Sequence, residues 1–326
     1  MNKASLLALA LALGTSGQAF AKVEKKTEGK SSIKIEEVTQ KKNKVDGDID
    51  EEITNARMRA ESGSKSKFSL SGSVAYTGGP ISDPLGKVRP NLQGDPGIQT
   101  QTSMGIGLDA RYRWSKNDSL TVGTSMGVMT PFQGVTGEEN VQLNVFDPNI
   151  AYNRVGKFGN IQTSSAFALG IGTSNESQSI KQTADLGASV TGLVSDENGL
   201  TAGLSMAIGY SFFGNKAGEA TDLPTAKPGY YGGDRRTEYS LGIYPFLEYA
   251  FNDKISARTI FGYFNWKHLY GDDKSARLLQ RFVYQSVGVG FAVTRDIYLY
   301  PNIQFIPDNI RSDFTNFAMS ATLNVF

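Results

Sequence analysis

Ser103-Met104-Gly105-Ile106-Gly107-Leu108-Asp109-Ala110-Arg111-Tyr112-Arg113-Trp114 is the stretch that decides the architecture. Met104, Ile106, Leu108, Ala110, Tyr112 and Trp114 alternate with Ser103, Gly105, Gly107, Asp109, Arg111 and Arg113. A period of two sends the first set to one face of a strand and the second set to the other. The run is also long. Strands of soluble proteins usually take about 5–6 residues, whereas a tilted strand crossing a bilayer needs about 9–11. An apolar face opposite a small or charged face, sustained this far, predicts a wall strand between lipid and a polar interior.

The same period recurs on either side. Phe68, Leu70, Val74 and Tyr76 alternate with Ser69, Ser71, Ser73 and Ala75; Leu120, Val122, Met126 and Val128 alternate with Thr121, Gly123, Ser125 and Gly127. Leu200 to Phe212 repeats the pattern. Extended along the chain, it predicts about twelve strands, within a range of about 10–14. They run over 67–77, 102–114, 119–130, 143–154, 161–172, 179–194, 200–213, 237–251, 255–266, 279–293, 297–306 and 314–326. Connections sort by parity, apart from the third of the odd ones, Ser174–Ser177, which is short. Ser115–Asp118, Val155–Asn160, Ser195–Gly199, Asn252–Lys254 and Thr294–Asp296 are short, while Gly78–Gln101, Pro131–Gln142, Gly214–Arg236 and His268–Ala276 are longer. Residues 67–326 are therefore expected to form an all-β, antiparallel up-and-down transmembrane barrel, with both chain ends on the short-turn side. Tyr112, Trp114, Tyr152, Tyr249 and Phe251 lie near short turns, where an interfacial girdle needs rings.

The N-terminus reads differently. Lys3, the apolar run Leu6–Leu13 and Ala19-Phe20-Ala21 have the order of a secretory signal peptide over residues 1–21, with cleavage before Lys22. Residues 22–66 are highly charged and lack aromatic rings, which predicts a largely disordered periplasmic arm. One short helix is expected over 49–61, with Asp48 as its cap, Ile49, Ile53, Ala56 and Ala60 on one face, and Gly63 ending it. A solvated linker is the plainest role for this arm. A handle for peptidoglycan or another periplasmic partner, and a plug for the lumen, are the functional alternatives.

Composition removes several classes. The net charge is +1, which argues against nucleic acid as a partner. Cysteine is absent and His268 is the single histidine, so no cofactor, disulfide or transition-metal site is expected. Gly105-Ile106-Gly107-Leu108-Asp109-Ala110 matches a dinucleotide-binding pattern by letter, but its glycines sit within an alternating strand and no helix follows. His268 beside Asp272 and Asp273 raises an outer-membrane hydrolase as a minor alternative, without a matching serine nearby. No enzyme is expected.

These features resemble Gram-negative outer-membrane β-barrels of porin-like type, over Met1–Ala21 and Lys67–Phe326. The resemblance implies outer-membrane lipid as surroundings and periplasmic termini. It also implies that the barrel insertion machinery reads the terminal strand through Phe326. The chain departs from that pattern at Asn324 and Thr322, where apolar residues are usual. Its apolar phase is Phe317, Met319, Ala321, Leu323 and Val325 instead.

The inward phase carries the functional expectation. Small residues dominate it in several strands, which leaves space in the interior. Asp109, Arg111, Arg113, Lys181, Asp185, Glu238, Glu248 and Arg258 are the charged lumen candidates for selectivity, or for ion pairs bracing the wall. Tyr244, Tyr298 and Tyr300 are candidates for stacking against a solute ring. The expected function is a channel for passive diffusion of small hydrophilic solutes; a structural or adhesive barrel acting through its long loops is the alternative.

Overall fold

The computed structural model describes residues 49–94, 100–133, 143–216, 236–262, 264–271, 277–278 and 282–325. The expected signal peptide, the arm before residue 49 and the terminal Phe326 lie outside the described residues.

Fifteen strand segments build one antiparallel sheet. They are β1 (Phe68–Pro80), β2 (Ser103–Arg113), β3 (Asp118–Met129), β4 (Leu143–Val145), β5 (Asn149–Phe158), β6 (Ile161–Ile171), β7 (Gln182–Ser195) and β8 (Leu200–Phe213). The rest are β9 (Thr237–Ala250), β10 (Ile255–Gly262), β11 (Phe264–Leu269), β12 (Arg277–Leu278), β13 (Tyr284–Ala292), β14 (Ile297–Phe305) and β15 (Asn316–Val325). β4 and β5 both pair with β3, β10 and β11 both pair with β9, and β12 and β13 continue against β11 and β10. The segments therefore make twelve staves. β1 also pairs with β15, from Leu70↔Val325 to Thr77↔Ala318, so the sheet closes and has no edge. Closure is what lipid demands, because every backbone N–H and C=O there must find a partner within the protein.

The outer surface is apolar. Leu108, Val122, Phe167, Val190, Leu204 and Leu247 are all exposed on it. A soluble protein rarely exposes a contiguous apolar band of this kind, whereas a bilayer makes it the stable arrangement. At the short-turn end rings pack side by side: Phe68 on Tyr112 at 5.0 Å, Trp114 on Tyr152 at 5.9 Å, and Tyr249 on Phe251 at 5.2 Å between centroids. All are exposed, as an interfacial girdle requires.

Three of the twelve staves, the fourth, ninth and tenth, are each built from two strand segments. The fourth breaks at Phe146-Asp147-Pro148, where proline offers no N–H to the ladder. Asp147 turns this break to use: its Oδ1 accepts from Thr173 N at 2.7 Å and Ser174 N at 2.6 Å, and the Ser177 hydroxyl donates to Oδ2. The sixth strand was expected from residue 179 but begins at Gln182. Ser174 accepts from Ser177 N and starts a short helix over Asn175–Ser179, and Lys181 then takes a left-handed φ of 59°. In the turn after β5, Gly159 at φ 58° lets the strand run through Phe158.

The arm segment from residue 49 is ordered. The single helix expected over 49–61 is two short pieces, α1 (Ile49–Glu52) and α2 (Ala56–Glu61), separated at Ile53–Asn55. Asn55 ends the continuity because it caps α2 itself, its Oδ1 accepting from Met58 N at 3.0 Å. Gly63 closes α2 at φ 85°. The helix Asn175–Ser179 is α3.

Candidate functional site

The inward phase of the wall has two characters. On β1 to β8 it is mostly serine, threonine, alanine and glycine, such as Ser71, Gly107, Thr121, Ser164 and Ser205. From β9 to β14 it carries Tyr244, Phe246, Glu248, Arg258, Tyr284, Tyr298 and Tyr300. Their bulk is accommodated by glycines on neighbouring staves. A side chain at Gly203 would meet the Phe246 ring, and one at Gly290 would meet Tyr298 and Ser256.

Residues 49–66 lie inside the barrel at its short-turn end. Ile49, Ile53 and Met58 are buried with Val155, Leu193 and Phe246 in one apolar cluster, and Ala60 is buried with Tyr298 and Tyr300 in another. Burial of the three larger side chains contributes about 1.5–3 kcal/mol each as an upper figure. The expectation of a solvated linker is corrected for this part of the arm. Its average charge is high, but Ile49, Ile53, Met58 and Ala60 give it a compact apolar surface.

Polar contacts hold the other side. Thr54 N donates to Gln162 Oε1, and Gln162 Nε2 donates back to Thr54 Oγ1, both at 3.0 Å. The end of α2 presents carbonyls with no partner inside a helix this short, and the wall supplies donors for them. Asn324 Nδ2 donates to Ala60 O at 2.6 Å. Arg111 donates to Glu61 O at 3.3 Å, Arg113 to Ser62 O at 2.5 Å, and Arg295 to Gly63 O at 2.7 Å and Arg59 O at 3.3 Å. Cations at a helix C-terminus are the favourable sign for its dipole. Arg295 also pairs with Asp50 at 3.0 Å and Asp296 at 2.9 Å.

Beneath the arm lies a layer of cations and rings. Arg57 pairs with Glu61 at 2.8 Å, and its guanidinium sits 5.1 Å from the centroid of Tyr300 and 5.6 Å from that of Tyr298. Arg258 covers Phe246 at 4.3 Å and stands opposite Glu248 in the β9–β10 register. Burial pushes the Glu61 carboxyl upward, against the pull of Arg57.

The sequence-expected residues therefore separate into groups. Arg111 and Arg113 meet at the arm's carbonyls. Asp109 lies on the same inward phase, partly buried, and Glu248 and Arg258 are buried in the ring layer. Asp185 lies higher on β7, against Gly170 of β6. Lys181 is not on a strand; it lies in the connection after α3. Tyr298 and Tyr300, each 3% exposed, stack with Arg57 instead of facing free lumen. Tyr244 lies over Gly242 on its own strand.

Glu238 corrects the inward assignment in another way. The β9–β11 register shifts between His268 and Leu269, so Glu238 has no direct partner across the ladder. Its carboxylate accepts from the Tyr210 hydroxyl at 3.1 Å and lies 3.1 Å from His268 Nδ1, both on the outward phase. A β-bulge re-aims a side chain in this manner. His268 stacks flat on Tyr239, 4.4 Å between centroids, at the end of β11 rather than in a loop. Asp272 and Asp273 lie outside the described residues.

The residues that sequence reasoning missed are Arg57, Arg295, Gln162 and Arg89. Arg89 comes from the connection after β1 and donates to Gln304 Oε1 at 2.7 Å, tying that loop to an inward side chain of β14. Arg89 and Arg295 lie in a loop and a turn, which carry no periodic signal, while Gln162 on the inward phase of β6 and Arg57 within α2 owe their roles to partners more than a hundred positions away. Among the described residues no cluster of three or more His, Cys, Asp or Glu could hold a metal ion, and no helix is long and apolar enough to cross a membrane.

Fold and surface together define a closed transmembrane β-barrel of outer-membrane type, with twelve staves and a segment of its own chain inside. No protein-family model matches the sequence, and no curated protein does. Solved structures are similar in architecture. An outer membrane channel from Pseudomonas putida F1 is 12% identical over 80% of this chain and 96% of its own, with a TM-score of 0.49. The NanC porin is 9% identical over 79% of this chain and 97% of its own, at 0.37. Outer membrane phospholipase A from Escherichia coli is 9% identical over 82% and 95%, at 0.31. The functional reading rests on the side chains of this chain.

Proposed function

We propose that this chain is an outer-membrane channel for passive diffusion of small hydrophilic solutes, closed from the periplasmic end by its own residues 49–66. One observation carries the reading. The inward wall of β1 to β8 is mostly small residues, and what fills the short-turn end of the lumen is a short segment held by a few buried apolar side chains and by hydrogen bonds to its backbone. A purely structural barrel would fill its interior with side chains of its own wall. Here the filling belongs to a separate segment that can leave without breaking the ladder.

Liposome swelling tests it. Vesicles carrying the folded barrel with the arm unseated by Ile53→Asp should admit sugars at rates that fall with solute size. A folded protein that admits none, seated or unseated, would overturn the channel reading and favour a structural or adhesive barrel.

A further inference from the structure

Arg111, Arg113 and Arg295 reach the arm from separate parts of the wall, the first two from one face of β2 and the third from the turn between β13 and β14. In sheet order β14, β15, β1 and β2 are consecutive, so the three guanidiniums stand along one sector of the lumen. They converge on carbonyls of Arg59, Glu61, Ser62 and Gly63. A six-residue helix does not need such provision. Gly63 already supplies the left-handed turn and Asn324 already satisfies Ala60 O, which is how helices commonly end.

The arginines are also under-used. The Nε–H groups of Arg111, Arg113 and Arg295 are all buried with no hydrogen-bond partner among the described residues. Neutral carbonyls are weaker acceptors than anionic oxygens, and the planar guanidinium fork matches a carboxylate or phosphate in geometry. The carboxylates facing the group are Asp50 and Asp296 on Arg295, with Asp50 also near Arg113, and Asp109 and Glu61 near Arg111. Asp50 and Glu61 belong to the arm. When the arm leaves, it removes both negative charges and exposes all three cations.

From this we infer that Arg111, Arg113 and Arg295 form a binding seat for the anionic oxygens of a solute, carboxylate or phosphate, which the arm's carbonyls occupy while the channel is closed. The seat rests on the channel reading and adds the ligand class and a trigger to it. An anion that takes the guanidiniums competes directly with Glu61 O, Ser62 O and Gly63 O, so the solute itself loosens the stopper. With the arm displaced, the seat favours anions in the conducting lumen.

The test compares two full-length variants in planar bilayers. Ile53→Asp unseats the arm and keeps the arginines; the triple variant Arg111→Gln, Arg113→Gln, Arg295→Gln unseats the arm and removes them. In a potassium chloride gradient the first should show a reversal potential displaced toward chloride, and the second should lose that displacement. Inorganic phosphate should raise the open fraction of the unmodified chain and leave the triple variant unaffected. Replacing the same three residues by lysine should preserve the anion preference, which separates loss of charge from loss of fold. Equal reversal potentials in the two unseated variants would overturn the seat while leaving the channel intact. Absence of current from both would overturn the channel as well.

Discussion

The Arg57 guanidinium of the arm lies over Tyr300 of the wall, 5.1 Å from the ring centroid, while its Nε pairs with Glu61 at 2.8 Å. The contact joins a segment with no strand of its own to a closed sheet, and both partners are buried. A desolvated cation–π contact is worth about 2 kcal/mol. Arg57→Ala removes it and leaves Glu61 without its cation. The open fraction in planar bilayers should rise roughly tenfold or more, with unit conductance unchanged.

Ile53 is fully buried between Met58 and the wall. An aspartate there would put an unpaired charge into an apolar cluster, a cost of several kcal/mol. Ile53→Asp should therefore make the arm accessible to added protease in folded protein. The barrel should still migrate as the compact species on unheated denaturing gels, because no ladder hydrogen bond involves residue 53.

Gly63 has φ 85°, and a Cβ there would run into the Arg111 guanidinium. The left-handed conformation alone costs about 1–2 kcal/mol for other residues. Gly63→Ala should unseat the arm more than Asn55→Ala, which loses only a cap worth about 1 kcal/mol. Protease sensitivity of the arm, measured for both, ranks the two effects.

Phe246 links wall and arm, packing with Ile53 and Met58 and covering Gly203. Phe246→Ala leaves a cavity, and such changes cost about 3–5 kcal/mol in packed cores. The temperature at which the barrel loses its compact gel mobility should fall. Gly203→Ala should fall in the same direction, since its added methyl meets the same ring.

The barrel was legible because its strands face two solvents, and the period of two survives even where a strand is interrupted. Breaks at Pro148 and the bulge at Glu238 are single-residue events that leave no periodic trace. Asn324 illustrates a different limit. As a departure from the apolar terminal pattern it was visible, but its role lies in donating to Ala60 O, 264 positions away in the chain. Arg111 and Arg113 were legible as inward charges, while their partners are backbone carbonyls, which every sequence contains and no sequence marks. The apolar face of the arm, Ile49, Ile53 and Ala60, was legible, but what it packs against was not, since Val155, Leu193, Phe246, Tyr298 and Tyr300 lie far along the chain.

The most direct test is single-channel conductance of the folded chain with and without residues 22–66. The account predicts rare, brief openings from the whole chain and sustained discrete steps once the arm is removed. Steps of equal size and duration in both forms would show that residues 49–66 do not close the lumen, and the stopper would have to be abandoned.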